Sequence, residues 1–593
     1  MDYLVLISVE CTVRAHISGA GHLEFDIRMN HVSFTYEGAT EPAIRGIDLE
    51  IERGEVVLIT GPAGAGKTTV CSCLNGLIPH FYGGILEGQV VVKGIDTTQA
   101  GIPRLSRYVG LLFQDASSQL FCPTIEDDIA FGAENHSIPT EEINERVEEL
   151  LEILRLEKYR GKSGYSLSGG EQQSVALGAI MAMRPSIYVL DEPTSNLDPL
   201  GTDQVLTAIK DVVRREKKTL VIVEHKIEEL APFVDRIVVI DNGRIVIEGT
   251  PRDVLKDAAT MKNIGLKPPQ VNLLLGELEI GSTEVPITLD EAYDVLLKVI
   301  RRKERRPILH EEAVQVLKRL GPPAIEVRDL WFVYPYVGTT ALRGVNLVVH
   351  EGEFIGLIGM NGSGKTTLVK HFNGLLKPTK GKLFVCGEDT TAVRASELAQ
   401  KVGFVFQNPD HQIFKNKVKD EVAFGPKNLG LSVEEVRRRV INALKKVNVE
   451  HLIEKNPFEL SMGEKQRVNV ASVIAMEPKI LVVDEPTTGQ DFLRGKQIME
   501  LTMKMHREGK TIIVISHDMN LIAEYVERVV VLKDGEITFD GPTREAFSQP
   551  KMLARTCLKP PQITRLAQKL EEFGVPPDIL TVEEMKNVLN EML

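Results

Sequence analysis

Gly61-Pro62-Ala63-Gly64-Ala65-Gly66-Lys67-Thr68-Thr69 is a stretch whose residue types suit phosphate. It fits the pattern G-x-x-x-x-G-K-[ST] in the context that pattern needs: an apolar run (Val56, Val57, Leu58, Ile59) precedes it and a helix-like segment follows. Glycines let backbone N–H groups converge on phosphate oxygens, and a helix N-terminus adds a favourable dipole. Lys67 is expected to reach the β- and γ-phosphates of a nucleotide, and the Thr68 hydroxyl to hold magnesium. The stretch recurs as Gly359-Met360-Asn361-Gly362-Ser363-Gly364-Lys365-Thr366-Thr367. Two phosphate loops in one chain raise the question of duplication.

The spacing of later markers answers it. Lys67 and Lys365 stand 298 positions apart, Gln114 and Gln407 293, Asp191 and Asp484 293, and His225 and His517 292. A nearly constant offset means two copies of one module. Each copy carries, in order, a glutamine after an apolar strand (Phe113-Gln114; Phe406-Gln407) and then a serine-glycine stretch. That stretch is Leu167-Ser168-Gly169-Gly170-Glu171 in one copy and Leu460-Ser461-Met462-Gly463-Glu464 in the other. Next comes an apolar strand ending in Asp191-Glu192-Pro193-Thr194 or Asp484-Glu485-Pro486-Thr487, and last a histidine after another strand.

The elements that must hold these residues alternate. Strand-like runs (56–59, 187–190, 220–223, 236–240) are separated by helical patterns such as 141–154, which implies an α/β module with a largely parallel sheet. The acidic stretch Glu141, Glu142, Glu145, Glu148, Glu149, Glu152 reads as a solvated helix face. Ile27 to Val32 align with Ile325 to Leu330, so residues 1–25 form an extension without a counterpart. The first module spans 26–256 and the second 324–548. Each has its own small C-terminal appendage (257–300 and 549–593): Leu266-Lys267-Pro268-Pro269-Gln270 returns as Leu558-Lys559-Pro560-Pro561-Gln562. The capped start Thr288-Leu289-Asp290-Glu291 likewise returns as Thr581-Val582-Glu583-Glu584. A linker, 301–323, opens with the charged run Arg301-Arg302-Lys303-Glu304-Arg305-Arg306, read as a solvated connector.

Composition bounds the rest. A chain of 593 residues needs several cores. A net charge of −13 argues against nucleic acid as the main partner, without excluding a local basic patch. Six scattered cysteines with no C-x-x-C pair give no zinc or iron–sulfur framework, and Cys71 and Cys73 read as small core residues. No apolar run is long enough to span a bilayer. The acidic start of Met1-Asp2-Tyr3-Leu4-Val5-Leu6-Ile7 argues against a secretory signal.

With these motifs in this order twice, the chain resembles the ATP-binding-cassette (ABC) transporter ATPases over all but its first two dozen residues. The resemblance implies two tandem P-loop ATPase domains. Each would have a RecA-like parallel core, an antiparallel β subdomain and a helical subdomain. It implies ATP and Mg²⁺ as cofactors, with Asp191 and Asp484, beside Thr68, Thr366, Gln114 and Gln407, organising the magnesium. Glu192 and Glu485 would polarise the attacking water, Gln114 and Gln407 would sense metal and γ-phosphate, and His225 and His517 would bind the γ-phosphate. A histidine at a strand end is more often structural, but its matching position in both copies reverses that judgement. Tyr36 and Tyr334, each 25 residues before its loop, would stack on adenine, while Phe34 and Phe332 read as core.

The resemblance also implies head-to-tail pairing of the two modules within the chain, each serine-glycine signature completing the other module's site. Lys67, Asp191 and Glu192 would then meet Ser461, Met462 and Gly463, while Lys365, Asp484 and Glu485 would meet Ser168, Gly169 and Gly170. Asp198 and Asp491 would lie across the interface. Met462 in place of a glycine, and Ser174 opposite Arg467, depart from the pattern without removing a magnesium or base residue. Both sites are therefore expected to hydrolyse ATP.

Phe406-Gln407-Asn408-Pro409-Asp410-His411-Gln412-Ile413-Phe414 and Asp420-Glu421-Val422-Ala423-Phe424-Gly425-Pro426 look like the energy-coupling-factor and cobalt-type importer branch. That implies vitamin or transition-metal uptake as a translocase, on the cytoplasmic face of the cell membrane as a peripheral protein. Its partners would be a membrane-embedded coupling subunit and a substrate-binding membrane subunit, with Leu120, Phe121, Ile413 and Phe414 as candidates for the docking groove, although each taken singly reads at least as well as ordinary core packing. The alternative is a soluble twin-cassette ATPase acting on ribosomes or RNA. A DNA-repair cassette is set aside, because only 101 positions separate Lys67 from Ser168, too few for a long heptad insertion.

Overall fold

Val56-Val57-Leu58-Ile59-Thr60 is buried at every position, as a strand enclosed on both faces of a parallel sheet must be. Alternation still sorts its side chains. Val57 and Ile59 pack with one core cluster, Val56 and Leu58 with another, and the strand Thr219–Val223 divides in the same way. The computed structural model describes residues 24–195, 197–278, 285–300, 321–335, 338–486 and 492–592. The expected linker segment 301–320, residues 1–23 of the extension, Thr487 and Asp491 lie outside these.

In the first half, β1 (Phe25–Tyr36), β2 (Ile44–Glu52), β4 (Gly84–Val92) and β5 (Ile95–Asp96) form an antiparallel sheet in the order β2-β1-β4-β5. β3 (Val56–Thr60), β6 (Val109–Leu112), β7 (Ile187–Asp191), β8 (Thr219–Val223), β9 (Arg236–Asp241) and β10 (Arg244–Gly249) form a six-stranded sheet. Its order is β10-β9-β3-β8-β7-β6, parallel except for β10. One face of this sheet packs on the antiparallel sheet and the helix Lys67–Leu74. The other packs on helices including Ile125–Asn135, Thr140–Ile153 and Gly169–Ala182. The second half repeats both sheets, with Phe354–Ile358 in the place of β3 and Ile480–Asp484 in the place of β7.

Helix Thr140–Ile153 carries the acidic stretch. Its Glu142, Glu148 and Glu149 pair with Arg146, Arg160 and both Arg184 and Arg215, so this solvated face is neutralised in part by arginines of its own and of neighbouring elements. Cys71, Cys73 and Phe34 are core residues, and so is Phe332.

The two appendages do not stand apart. Helices Gln270–Glu277 and Leu289–Ile300 of the first share one apolar core with Gln562–Lys569 and Val582–Met592 of the second, built on Val271, Leu274, Leu296, Ile563, Leu566 and Leu589. The contact is reciprocal: the Val271 N–H donates to Gln562 Oε1 at 3.1 Å, and the Ile563 N–H to Gln270 Oε1 at 3.0 Å. Thr288 and Thr581 cap their helices by accepting from the N–H groups of Glu291 and Glu584, at 3.1 and 3.2 Å.

Candidate functional site

Each phosphate loop turns between a buried strand and a helix whose first residue is the lysine. The turn needs glycine at its last position. Gly66 has φ 101°, and a Cβ there would lie 2.6 Å from the Ala43 carbonyl oxygen. Gly364 has φ 102° and the same clash with Ala341. Lys67 Nζ donates to the carbonyls of Gly61 (2.9 Å) and Pro62 (2.8 Å). Lys365 Nζ does the same with Gly359 (2.7 Å) and Met360 (2.8 Å). Each ammonium is thereby held over the concave side of its own loop.

At the end of the neighbouring strand, Asp191 Oδ2 accepts from the Thr68 hydroxyl at 2.6 Å, and Asp484 Oδ2 from Thr366 at 2.9 Å. Burial pushes both carboxyls up to about 6, opposed by these hydroxyls and by the nearby loop lysines. A hydroxyl beside a carboxylate is a pair of hard oxygen donors, the kind that magnesium takes while drawing its other ligands from water and phosphate. No cluster of three or more His, Cys, Asp or Glu that could cage a metal alone occurs among the described residues. The donor set therefore fits a magnesium that arrives with a nucleotide.

Glu192 and Glu485 follow these aspartates with φ 50° and 51°, the left-handed region that a glutamate rarely adopts. His225 Nε2 lies 3.4 Å from Glu192 Oε1, and His517 Nε2 lies 3.3 Å from Glu485 Oε1. Around this shared frame the environments differ. Burial alone would raise the Glu192 carboxyl, but His225, Lys67 and the Gln114 amide, which donates at 3.0 Å, hold it below the usual carboxylate range. Burial and the neighbouring Asp484 push Glu485 up against the pull of Lys365. Burial, with Lys365 and Lys226 nearby, pushes His517 down to about 3, so its imidazole is neutral.

Ser168 and Ser461 are the N-caps of the helices Gly169–Ala182 and Met462–Ile474, each in a capping box with the glutamate three residues on. Gly169, Gly170, Met462 and Gly463 thus sit in first helical turns. A cavity of about 1570 Å³ brings the halves together. Its walls include the first phosphate loop from Ala63 to Thr69, Tyr36, Gln114, Glu192 and His225, and, from the other half, Ser461, Met462 and Gly463. Gln407, Glu485 and His517 also border it, whereas Ser168, Gly169 and Gly170 do not. For the second site the cross-contact comes from another residue: Asp198 Oδ2 accepts from the Asn361 backbone N–H in the second phosphate loop at 3.2 Å. The Tyr36 and Tyr334 hydroxyls each bond a loop threonine, Thr69 and Thr367, at 3.1 Å, which fixes both rings beside their loops.

Sequence reasoning passed over several of the residues gathered here. Lys267, from the first appendage, binds Asp518 beside His517 at 2.7 Å, and Lys559 binds Asp203 at 2.5 Å. Arg565 binds Glu228, which burial has raised. The repeated Lys-Pro-Pro-Gln stretch was the available signal, but it carries no hint of its partner. One expectation needs correcting. Leu120 and Ile413 are 2% and 4% exposed and belong to the interior, so neither can line a docking groove.

A family model described as ABC transporter matches residues 44–195 and 342–488. The chain belongs to the ABC transporter family. A putative ABC transporter ATP-binding protein of Caldanaerobacter subterraneus subsp. tengcongensis is 42% identical, over 94% of this chain and 98% of its own. The putative HMP/thiamine import ATP-binding protein of Bacillus subtilis is 35% identical, over 88% and 92%. Among solved structures, cbiO1 from Clostridium perfringens, described as part of the ABC transporter complex cbiONQ, is 37% identical over 42% of this chain and 97% of its own, with a TM-score of 0.37. The chain is thus a fusion of two tandem ABC ATPase domains of transporter type. Domains of this family bind and hydrolyse ATP, typically with Mg²⁺. The relatives named above lend no support to the ribosome or RNA alternative. No helix among the described residues is long and apolar enough to cross a membrane.

Proposed function

We propose that this ABC protein is the ATP-hydrolysing subunit of an energy-coupling-factor-type importer for a vitamin or a transition metal, with two ATP sites formed head to tail between its halves. The observation that carries the reading is a cavity walled by the phosphate loop of one half and the signature of the other. In site one, Gly61–Thr69 wraps the phosphates, Tyr36 stacks on the base, and the first-turn N–H groups of Met462 and Gly463 face the γ-phosphate. Site two uses Gly359–Thr367 and Tyr334, with Ser168, Gly169 and Gly170 closing over it as the halves approach. Magnesium, held by Thr68 and Asp191 or by Thr366 and Asp484, neutralises developing phosphate charge when bound. Glu192 and Glu485 orient and deprotonate the attacking water. His225 and His517, each with Nε2 within 3.4 Å of its glutamate, contact the γ-phosphate, and Gln114 and Gln407 report its presence to the neighbouring surface.

That surface carries an aromatic pair in each half. Phe121 and Phe131 stack edge to face at 4.8 Å, Phe414 and Phe424 at 4.7 Å, and all four rings are exposed. On this reading these pairs, close in sequence to Gln114 and Gln407, receive helices of the membrane coupling subunit, and the chain works as a peripheral protein on the cytoplasmic face of the membrane. The Bacillus subtilis relative, a putative HMP/thiamine import protein, supports a vitamin-type solute. Co-purification from detergent-solubilised membranes tests the assembly. Recovery with a polytopic coupling protein and a small membrane-bound binding protein is expected; recovery on ribosomes alone would overturn it.

A further inference from the structure

Glu224, next to His225, is only 3% exposed and has no role in the reaction described above. Its Oε1 accepts from the Thr194 N–H at 3.0 Å and from the Thr194 hydroxyl, and its Oε2 accepts from the His225 N–H at 3.0 Å. On the other side of His225, Lys226 Nζ donates to the Thr194 carbonyl at 3.1 Å and to Thr202 Oγ1 at 3.0 Å. The same carbonyl accepts from the Leu197 N–H at 3.3 Å. The turn ends at Asp198, which bonds the Gly201 N–H at 2.8 Å and, across the interface, the Asn361 N–H in the second phosphate loop. A continuous run of contacts therefore joins the His225 loop of one site to the phosphate loop of the other.

The second half is wired differently. Ser516 stands at the position of Glu224 and Asp518 at that of Lys226. Ser516 Oγ accepts from the Asp518 N–H at 3.0 Å, and the Asp518 carboxylate turns to Lys267 of the first appendage. A buried carboxylate with three donors cannot release one without leaving a polar group unsatisfied, so the segments it ties move together.

We propose that Glu224 is a positioning residue that couples the state of the histidine loop at site one to the phosphate loop of site two. The inference rests on the two-site ATPase reading for what those loops do. Amide hydrogen exchange on the nucleotide-free, full-length chain tests it. Glu224→Ser, which installs the residue of the second half, is expected to speed exchange across residues 359–365 about tenfold, because the far loop loses its brace. Glu224→Gln, nearly the same size, can accept through one oxygen only and should give a smaller rise. It also carries the comparison should the serine variant not fold. Ser516→Ala should leave exchange across residues 61–67 unchanged.

Loosening confined to residues 192–203 and 224–227, with 359–365 unaltered in both Glu224 variants, would overturn the relay, since a purely local role does only that. In steady-state assays the relay predicts a fall in kcat larger than any change in KM. A chain that hydrolyses no ATP yet shows the far-loop effect would refute the ATPase reading and leave the relay standing.

Discussion

Glu192 and Glu485 share a strand end, a left-handed backbone and a histidine at nearly the same distance, yet one carboxyl is held low and the other pushed high. The difference lies in neighbours a few ångströms away: His225 and Lys67, with the Gln114 amide behind them, pull Glu192 down, whereas Glu485 is more tightly enclosed (its side chain 9% exposed against 16%) and stands beside Asp484. Duplication has kept the backbone frame, because the strand, the glycine turn and the helix start permit few alternatives. The polar wiring around that frame was free to diverge. Glu224 against Ser516 and Lys226 against Asp518 are its plainest signs.

If both frames work, disabling either base should matter. Glu192→Gln and Glu485→Gln together are expected to lower ATPase kcat by about 100-fold or more. Each alone should remove a substantial part of the turnover, measured as phosphate release. Abolition by Glu485→Gln with no effect of Glu192→Gln would break the equivalence of the halves. Chelation of magnesium should stop both sites together, with full recovery on adding it back, because neither donor pair can hold a metal without phosphate and water.

The appendages sharpen the comparison from another side, since they share one core where the nucleotide modules keep separate ones. Leu274→Ala and Leu566→Ala, each removing a fully buried side chain, should each destabilise the shared bundle by about 2–5 kcal/mol. Amide exchange should then rise in the appendage helices of both halves, whichever half carries the substitution. A rise restricted to the mutated half would show two independent appendages. The smallest effect is expected at the surface. Phe121→Ala or Phe414→Ala should cost no more than about 1.5 kcal/mol in thermal unfolding, the worth of one exposed edge-to-face pair.

Much of this molecule was legible in the sequence, and the reason is local. Lys67, Thr68, Asp191 and His225 announce themselves because strand, loop and helix lie within a few residues of each, so their geometry follows from short-range constraints. The repeat offset placed the second set with no added assumption. What stayed hidden depends on residues far apart in the chain. Gln270 and Gln562 bond each other's helices across 292 positions, and nothing in either Pro-Pro-Gln stretch says so. Leu120 and Ile413 sit beside the exposed Phe121 and Phe414 in sequence but point inward, a distinction that a short helical turn just before each sets and apolarity alone does not reveal. Asp198 was placed from the resemblance, but its target, the Asn361 N–H, emerged only from the packing of the halves.

The central claim is that the halves face each other head to tail and close on ATP. Asn242 borders the cavity on the first half, and Glu459 lies beside the signature serine on the second; both side chains are exposed. Distances between spin labels carried at these two positions, in a chain bearing Glu192→Gln and Glu485→Gln, report the approach directly. The account predicts that ATP with magnesium shortens and narrows the distance distribution and that ADP does not. A distribution that ATP leaves unchanged would contradict it.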